Sequence, residues 1–172
     1  MEKNIIIRPT TEADYATVYN LIKTAFETAE HRDGNEQDFA VDLRNSANYI
    51  HELDLIAEVN GQPAGHIMFT KTYVIKPDGS RYDTLLVAPL SVLLEYRSAG
   101  IGSALMKEGL RIAGTLGYKT AFLIGDPNYY KRFGYKQSSL HDINHESFPA
   151  EYVMVKEIVS GALDGIAGII NM

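Results

Sequence analysis

The segment 84–124 constrains the fold more than any other part of the chain, because its hydrophobic pattern changes period twice. Residues 84–92 have the apolar run of a strand, residues 101–116 place apolar side chains at helical intervals, and residues 119–124 have the pattern of a buried strand. A strand, a helix and a strand in that order form a crossover, which makes the second strand parallel to the first. The segment therefore predicts a sheet that contains a parallel pair.

The strands before this crossover are predicted to pair antiparallel. Residues 55–59 and 64–75 are separated by Asn60-Gly61, a dipeptide that favours a tight hairpin. Pro89 lies inside the strand 84–92 and has no N–H group to donate, so the pairing should be broken or bulged near it. Shorter strands are expected at residues 4–8, 135–137 and 152–158.

Helices are predicted before the hairpin and after residue 124. Thr11 and Asp14 have the spacing of a capping box, and apolar residues then recur at helical intervals, which gives a first helix of about four turns. A weaker helix covers residues 35–45. Asp126-Pro127 has the order of a helix N-cap and first helical residue, and Gly134 is typical of a helix end. The predicted fold class is α+β, a mixed and largely antiparallel sheet flanked by helices, in a single domain of residues 1–172.

Composition narrows the classes of function. The chain has 172 residues, 45% of them hydrophobic, which is enough for one domain with a real core. The absence of cysteine excludes disulfide scaffolds, thiol nucleophiles and cysteine-ligated metal clusters. A net charge of −6 gives no basic surface for nucleic acid or anionic lipid. The apolar stretches are too short to span a membrane and the first residues lack a signal-peptide pattern, so we expect a cytoplasmic protein.

The segment 90–103 is the most informative one for function. A strand runs into a loop, and the loop opens a helix through Gly100 and Gly102, so free backbone N–H groups converge at the positive end of the helix. Such a geometry binds an anion, most naturally a diphosphate. The alternative is that the two glycines only permit a tight turn and close packing.

This segment resembles the Q/R-x-x-G-x-G/A motif of the GNAT superfamily of N-acetyltransferases, with Arg97, Gly100 and Gly102 in the motif positions. The opening residues 7–10 look like the usual start of that fold. Residues 130–135 look like its Y-x-x-x-G-[FY] ending, within a segment similar to a bacterial subgroup with the pattern G-D-P-x-Y-Y-x-R-F-G-[FY].

The resemblance implies acetyl-CoA as cosubstrate and no metal. The pantetheine arm is expected to lie against residues 90–92 like an added strand, and the diphosphate to bind the N–H groups of residues 98–103. The residues implied in cofactor binding are Leu90, Ser91, Val92, Arg97, Ser98, Ala99, Gly100, Ile101, Gly102, Ser103 and Asn128. Two positions depart from the commonest pattern: Leu94 stands where proline is frequent, and Ser98 where glycine or a basic residue is frequent. Ser98 is expected to weaken the contact with the phosphates.

The implied reaction moves an acetyl group from acetyl-CoA to a primary amine of a small molecule or peptide, by direct attack in a ternary complex. The Val92 backbone N–H is the candidate that polarises the thioester carbonyl, and Tyr130 is the candidate acid toward the CoA thiolate. The alternative for Tyr130 is simple aromatic packing beside Tyr129 and Phe133. The base stays unidentified, with these groups and water as alternatives: Glu58, Glu95 and Asp126.

Two other functions compete with this one. A dinucleotide-binding oxidoreductase domain would use Gly100 and Gly102 at a helix start and Asp126 as the ribose-binding acid. Against it, Leu105 stands where the third glycine belongs, and a loop separates the strand from Gly100. A catalytically silent acyl-CoA sensor would share the whole cofactor site.

The remaining signals predict structure more than chemistry. His141 and His145 lack the H-E-x-x-H spacing, so a turn-rich loop is favoured over a metal site. His66, alone in an apolar strand, is expected to be a satisfied core residue. Residues 161–170 alternate small and apolar side chains, which either add an edge strand or cover a second copy of the chain in a homodimer.

An acidic segment at residues 27–38 bears on the acceptor, because the first helices and their connection are expected to shape the acceptor site in this fold. It holds five acids against one arginine, Arg32: Glu27, Glu30, Asp33, Glu36 and Asp38. This charge favours a cationic acceptor through long-range attraction. The alternative is that the acids only solvate a loop.

Overall fold

The computed structural model describes residues 3–30 and 32–172. The chain divides into two compact units, the first made of Met1–Thr70 and Ala88–Ile112 and the second of Lys71–Val87 and Ala113–Met172. The organisation of residues 1–172 as a single domain stays a prediction.

Nine strands and four α-helices occur within the described residues. The strands are β1 (Ile5–Pro9), β2 (Asp54–Val59), β3 (Gln62–Ile75), β4 (Arg81–Val92), β5 (Thr120–Ile124), β6 (Lys136–Gln137), β7 (Ile143–Asn144), β8 (Val153–Glu157) and β9 (Gly168–Asn171). The helices are α1 (Tyr15–Glu27), α2 (Glu36–Arg44), α3 (Ile101–Thr115) and α4 (Pro127–Tyr130). None of the helices in this described part has the length and apolar character needed to cross a membrane.

The first unit contains an antiparallel arrangement of β1, β2 and β3. Ile7 lies opposite Ala57, and Ala57 lies opposite Gly65. The hairpin between β2 and β3 turns through Asn60 and Gly61, whose φ angles of 51° and 79° are the left-handed values predicted from this dipeptide. A buried core joins α1 and α2 to the strands, through Val18, Ile22, Ala40, Ile56 and Met68.

A buried ionic cluster in the same unit explains His66. The His66 Nε2 lies 2.6 Å from Asp54 Oδ1, and both side chains are fully buried. Asp54 Oδ2 also accepts hydrogen bonds from Arg44 Nε at 3.0 Å and from the Tyr49 hydroxyl at 2.7 Å. His66 is therefore a buried core residue, as predicted, but it is satisfied only in part, because its Nδ1 has no hydrogen-bond partner among the described residues. The cluster joins α2 and the segment after it to β2 and β3.

The second unit contains the parallel pair that the crossover predicts. β4 runs parallel to β5, with Leu86 opposite Phe122. β8 pairs antiparallel with both β5 and β6, and β9 pairs antiparallel with the last residues of β3. The core of this unit consists of Val74, Phe122, Ile143, Val153, Val155, Leu163 and Ile170.

The C-terminal strand resolves one alternative left open by the sequence. β9 pairs with β3 on one side and with the two-residue strand β7 on the other. Ile170 is buried, with 1% of its surface exposed. The segment therefore adds a strand, as one alternative predicted, but that strand has a neighbour on each side and is not at an edge. A homodimer stays a prediction.

The predicted fold class is confirmed. Both parallel and antiparallel strand pairs occur, the antiparallel pairs are in the majority, and helices flank the strands. The helix starts are also as predicted. The Thr11 N–H donates to the Asp14 carboxylate at 2.8 Å, and the Asp126 carboxylate accepts from the Asn128 N–H at 2.9 Å at the start of α4.

Candidate functional site

The end of β4 carries three residues assigned to cofactor binding by the sequence: Leu90, Ser91 and Val92. Directly after them, the Leu93 N–H donates to the Ala64 carbonyl oxygen at 2.9 Å. The Val92 carbonyl oxygen accepts a hydrogen bond from Arg97 Nε at 3.1 Å. These two bonds hold the peptide group that follows Val92, so the end of the strand has a fixed orientation.

The loop after β4 contains two residues in the left-handed region, Ser98 with φ of 64° and Gly100 with φ of 83°. A Cβ built on Gly100 would meet no described atom within 4 Å. The backbone conformation, and not close packing, therefore requires glycine at this position. Ser98 carries a Cβ in the same region, which is strained for a residue with a side chain.

Helix α3 begins directly after this loop. The Ala104 N–H donates to the Gly100 carbonyl oxygen at 3.0 Å. The N–H groups of Ile101, Gly102 and Ser103 come before that bond, at the helix start where backbone donors have no acceptor within the helix. The helix dipole adds partial positive charge there. This end of α3 can therefore bind an anion by backbone N–H groups alone.

Gly65, on β3, allows the first turn of α3 to approach the strands, and it is not among the residues predicted from the sequence. A Cβ on Gly65 would lie 2.9 Å from the Ser91 carbonyl oxygen and 3.0 Å from both Ile101 Cγ2 and Leu105 Cδ1. These distances are shorter than ordinary contacts, so only glycine fits without a shift of the neighbours. The signal was available, because a glycine inside a strand pattern marks a close approach.

The Arg97 side chain binds the protein's own backbone. Besides its bond to Val92, its Nη2 donates to the Ala25 carbonyl oxygen at 2.7 Å. Ala25 lies in the last turn of α1, where carbonyl groups have no partner within the helix. The guanidinium therefore holds the loop between β4 and the end of α1, and its contact with a cofactor stays a prediction.

In the second unit, Tyr130 lies in a cluster of aromatic rings. Its ring centroid is 4.8 Å from that of Tyr129, 6.0 Å from that of Tyr135 and 6.5 Å from that of Phe133. Burial raises the pKa of the Tyr130 phenol well above its usual value, and the neighbouring Tyr129 and Asp126 raise that pKa further. The phenol is therefore protonated at neutral pH and can donate a hydrogen bond. The packing alternative and the donor role are compatible in this geometry.

Two of the three candidate bases are engaged in local interactions. The Glu58 carboxylate lies 2.8 Å from Arg8 Nη2, in a group that also contains Asp14. Asp126 caps α4 through the Asn128 N–H. Glu95 lies exposed in the 3-10 turn Leu94–Tyr96. These interactions weigh against Glu58 and Asp126 as the base, which remains unidentified.

The two histidines near residue 143 belong to turns and hydrogen bonds within the chain. His141 ends the 3-10 turn Ser138–His141, and the His145 Nδ1 accepts N–H bonds from Ser147 at 2.9 Å and Phe148 at 3.1 Å. Across residues 3–30 and 32–172, no group of three or more histidine, aspartate or glutamate side chains is arranged to hold a metal ion. The turn-rich interpretation of this loop is confirmed.

A family model described as an acetyltransferase (GNAT) domain matches residues 6–138. The chain is 28% identical over 169 residues to the uncharacterized N-acetyltransferase YhbS of Escherichia coli (strain K12). This alignment covers 97% of this chain and 95% of that protein. It is also 28% identical over 131 residues to the uncharacterized N-acetyltransferase YjhQ of the same strain, with 76% of this chain and 70% of that protein covered.

Two solved structures are similar in fold to this chain over 99% of its length. The crystal structure of YhbS from Escherichia coli in complex with CoA has a TM-score of 0.87 at 27% identity, and covers 99% of this chain and 90% of that one. A GNAT family acetyltransferase from Brucella melitensis in complex with acetyl-CoA has a TM-score of 0.80 at 26% identity, with 99% and 97% covered. These likenesses favour an acetyltransferase over the dinucleotide-binding alternative. The chain belongs to the GNAT family of acetyltransferases.

Proposed function

We propose that the protein transfers an acetyl group from acetyl-CoA to a primary amine on a small molecule or peptide, by direct attack in a ternary complex. The observation that carries this proposal is the pair of left-handed residues, Ser98 and Gly100, directly before the start of α3. With that backbone, the N–H groups of residues 98–103 would converge on one region at the positive end of a helix. A diphosphate is the part of acetyl-CoA that such a region would bind.

The rest of the cofactor would lie along the end of β4. The pantetheine arm contains amide groups, and residues 90–92 would bind it as a strand binds a neighbouring strand. Two similar proteins of known structure are complexes with CoA or acetyl-CoA, which supports acetyl-CoA as the cosubstrate. The proposed cofactor contact of Arg97 is through its backbone, because its guanidinium binds the Val92 and Ala25 carbonyl oxygens. The residues proposed to contact the cofactor are Leu90, Ser91, Val92, Arg97, Ser98, Ala99, Gly100, Ile101, Gly102, Ser103 and Asn128.

The reaction needs three functions from the protein. The amine nitrogen forms a bond to the thioester carbon, and the bond from that carbon to sulfur breaks. The Val92 N–H would stabilise the negative charge that develops on the carbonyl oxygen. Tyr130 would stabilise the departing thiolate. Water or an unidentified base would take the proton of the amine.

The raised pKa of Tyr130 defines its role more closely. A thiol has a pKa of about 8.5 and an ordinary phenol about 10, so proton transfer from phenol to thiolate is already uphill. Burial raises the phenol pKa further and makes complete transfer less favourable. Tyr130 would therefore act mainly as a hydrogen-bond donor to the developing thiolate.

The experiment compares three variants in binding and turnover. Gly102→Val adds branched bulk where backbone meets phosphate, so it should abolish acetyl-CoA binding in calorimetry. Tyr130→Phe should leave the Kd for acetyl-CoA nearly unchanged and lower kcat by about 10- to 100-fold, because it removes one donor used in the transition state. Tyr129→Phe removes a neighbouring phenol and should change neither quantity.

Two outcomes would contradict the proposal. If Tyr130→Phe weakened acetyl-CoA binding as strongly as Gly102→Val and left turnover per bound enzyme unchanged, Tyr130 would be a packing residue. If the wild-type protein bound acetyl-CoA and acetylated no amine in a broad panel, the chain would be a silent acyl-CoA sensor.

A further inference from the structure

We propose that Gly125 is a positioning residue for the Tyr130 ring, and this inference rests on the role of Tyr130 in the proposed function. Gly125 follows the last residue of β5, and its N–H donates to the Tyr152 carbonyl oxygen at 2.9 Å. Its backbone is thereby fixed at the end of the strand. A Cβ built on it would lie 2.4 Å from Tyr130 Cε2 and 2.9 Å from Tyr130 Cδ2.

The ring of Tyr130 therefore lies directly on the bare backbone of residue 125. Two carbon atoms in favourable contact are about 3.5–4.0 Å apart, so any side chain at position 125 would have to move the ring by about 1 Å or more. A Cβ at position 125 would push on Cδ2 and Cε2, which form one edge of the Tyr130 ring. Because the ring is rigid, moving this edge also moves the hydroxyl group.

The other sides of the ring are already occupied. Tyr129 and Tyr135 pack edge-to-face against Tyr130, with interplanar angles of 89° and 66°, and Phe133 lies in a tilted arrangement. Tyr135 and Phe133 are themselves buried, with exposed fractions of 2% and 8%. The ring is thus packed between three aromatic neighbours and Gly125.

The backbone itself does not demand glycine at residue 125. Its φ is outside the left-handed region in which glycine is favoured, unlike Gly134 nine residues later with φ of 84°. Alanine could adopt the same backbone conformation without strain. The contact with Tyr130 is therefore what restricts this position, and Gly125→Ala perturbs that contact selectively.

The test is a double-mutant cycle between Gly125→Ala and Tyr130→Phe. Gly125→Ala should lower kcat by about 10- to 100-fold, since a misplacement near 1 Å has an effect of that order, and should change the Kd for acetyl-CoA by less than about 3-fold. Gly125→Ala added to Tyr130→Phe should cause no further loss of kcat, because the hydroxyl that it misplaces is already absent. If Gly125→Ala acted only through a general structural change, it would lower the kcat of Tyr130→Phe further.

Gly109→Ala serves as the matched control. A Cβ on Gly109 would lie 2.4 Å from Phe69 Cε1, an equally close approach to an aromatic ring in the first unit. This variant should lower the melting temperature, and any effect on kcat should add to that of Tyr130→Phe. The comparison separates a general cost of ring overlap from misplacement of the Tyr130 hydroxyl.

The outcomes distinguish the two proposals. If Tyr130→Phe retains full kcat, the role of Tyr130 fails and the positioning role fails with it. If Tyr130→Phe lowers kcat but Gly125→Ala does not, or lowers it additively, only the positioning role fails. Should Gly125→Ala not fold, it should fold in a Tyr130→Ala background, where the methyl group meets no ring; failure to fold there as well would overturn the contact as the cause.

Discussion

The Nη2 atom of Arg97 donates to the carbonyl oxygen of Ala25 at 2.7 Å, across 72 positions of sequence. The same guanidinium binds the Val92 carbonyl through Nε at 3.1 Å. A cation at the C-terminal end of α1 also interacts favourably with the helix dipole. Arg97 therefore joins the loop before α3 to α1 and to the end of β4, the element proposed to hold the pantetheine arm.

Replacing Arg97 should weaken cofactor binding without changing its salt dependence. Arg97→Ala removes two charge-assisted hydrogen bonds that hold the loop, so the Kd for acetyl-CoA should rise by about 10-fold or more. Arg97→Lys should raise the Kd by a smaller factor, because an ammonium keeps the charge but lacks the planar fork that reaches two carbonyls. Calorimetry at two salt concentrations measures the Kd and its dependence on salt.

The salt dependence decides between two roles for Arg97. If its side chain instead bound the phosphates directly, Arg97→Ala would flatten the dependence of Kd on ionic strength. Lys23→Ala, which removes an exposed positive charge on α1, should leave Kd and its salt dependence unchanged.

Relief of the strain at Ser98 should stabilise the folded protein. A residue with a Cβ in the left-handed region costs about 1 kcal/mol or more, a cost that glycine does not have. Ser98→Gly should therefore raise the free energy of unfolding by up to about 1 kcal/mol, and Ser98→Val should lower it, as measured by denaturant unfolding. The Kd for acetyl-CoA should stay unchanged in Ser98→Gly, as in Asn60→Gly at a left-handed residue of the β2–β3 hairpin. A higher Kd for Ser98→Gly would mean that the serine side chain itself binds the ligand.

The buried carboxylate of Asp54 should make stability depend on acid pH. Burial alone would raise its pKa, but the hydrogen bond and charge of His66, with the hydrogen bonds from Arg44 and Tyr49, outweigh burial and hold that pKa well below its usual value. A carboxyl group with a lowered pKa in the folded state contributes stability above its unfolded pKa of about 3.9, and that contribution is lost as the pH falls below it.

Denaturant unfolding between pH 3 and pH 7 measures this contribution. Asp54→Asn should lower the free energy of unfolding at pH 7 by about 3–5 kcal/mol, because it leaves the buried Arg44 without its counter-charge. The difference in the free energy of unfolding between Asp54→Asn and wild type should become smaller as the pH approaches 3. Asp78→Asn, at an exposed turn, should have only a small effect. A difference for Asp54→Asn that stays constant over the whole range would rule out the titration of this group.

The sequence predicted the features that depend on neighbouring residues. The Asn60-Gly61 hairpin, the Asp126 cap and the crossover of β4, α3 and β5 all follow from local spacing. Gly65 was missed because the atoms that exclude a Cβ there come from Ser91, Ile101 and Leu105, residues distant in sequence. The glycine itself was visible, but its neighbours were not.

The same distinction applies to the candidate site. The motif identified Arg97 as a site residue, but the partner of its side chain, Ala25, lies in another helix and no local pattern indicates it. Gly125 is only five residues from Tyr130, yet the contact depends on how α4 folds back beside the end of β5. Residue types and order were therefore predictable, whereas the side-chain contacts required the structure.

The acidic segment at residues 27–38 should make acceptor binding sensitive to salt. Two of its acids have local partners, since Glu36 accepts the Asp33 and Gly34 N–H groups and Asp38 accepts the Tyr19 hydroxyl. These donors are neutral, so all five carboxylates keep their charge and the segment would attract a cationic amine. The acceptor KM should then rise as ionic strength goes from about 10 mM to about 150 mM, because the Debye length falls from about 30 to about 8 Å.

Replacing three acids of the segment should abolish this rise in KM: Glu30→Gln, Asp33→Asn and Glu36→Gln. A variant with three exposed acids neutralised elsewhere keeps the net charge matched and should retain the rise: Asp83→Asn, Glu146→Gln and Glu151→Gln. A KM indifferent to salt in the wild-type protein, or an acceptor that is anionic, would leave the segment as a solvated surface.

Acetyl transfer is tested most directly by mass spectrometry of an amine-containing cell extract incubated with the protein and isotope-labelled acetyl-CoA. We expect a labelled N-acetyl product that forms with wild-type protein, forms much more slowly with Tyr130→Phe at equal cofactor occupancy, and does not form with Gly102→Val. Acetyl transfer would be ruled out if the label remained entirely in acetyl-CoA while the wild-type protein bound it. Equal product from the wild-type and Tyr130→Phe proteins would rule out the role of Tyr130.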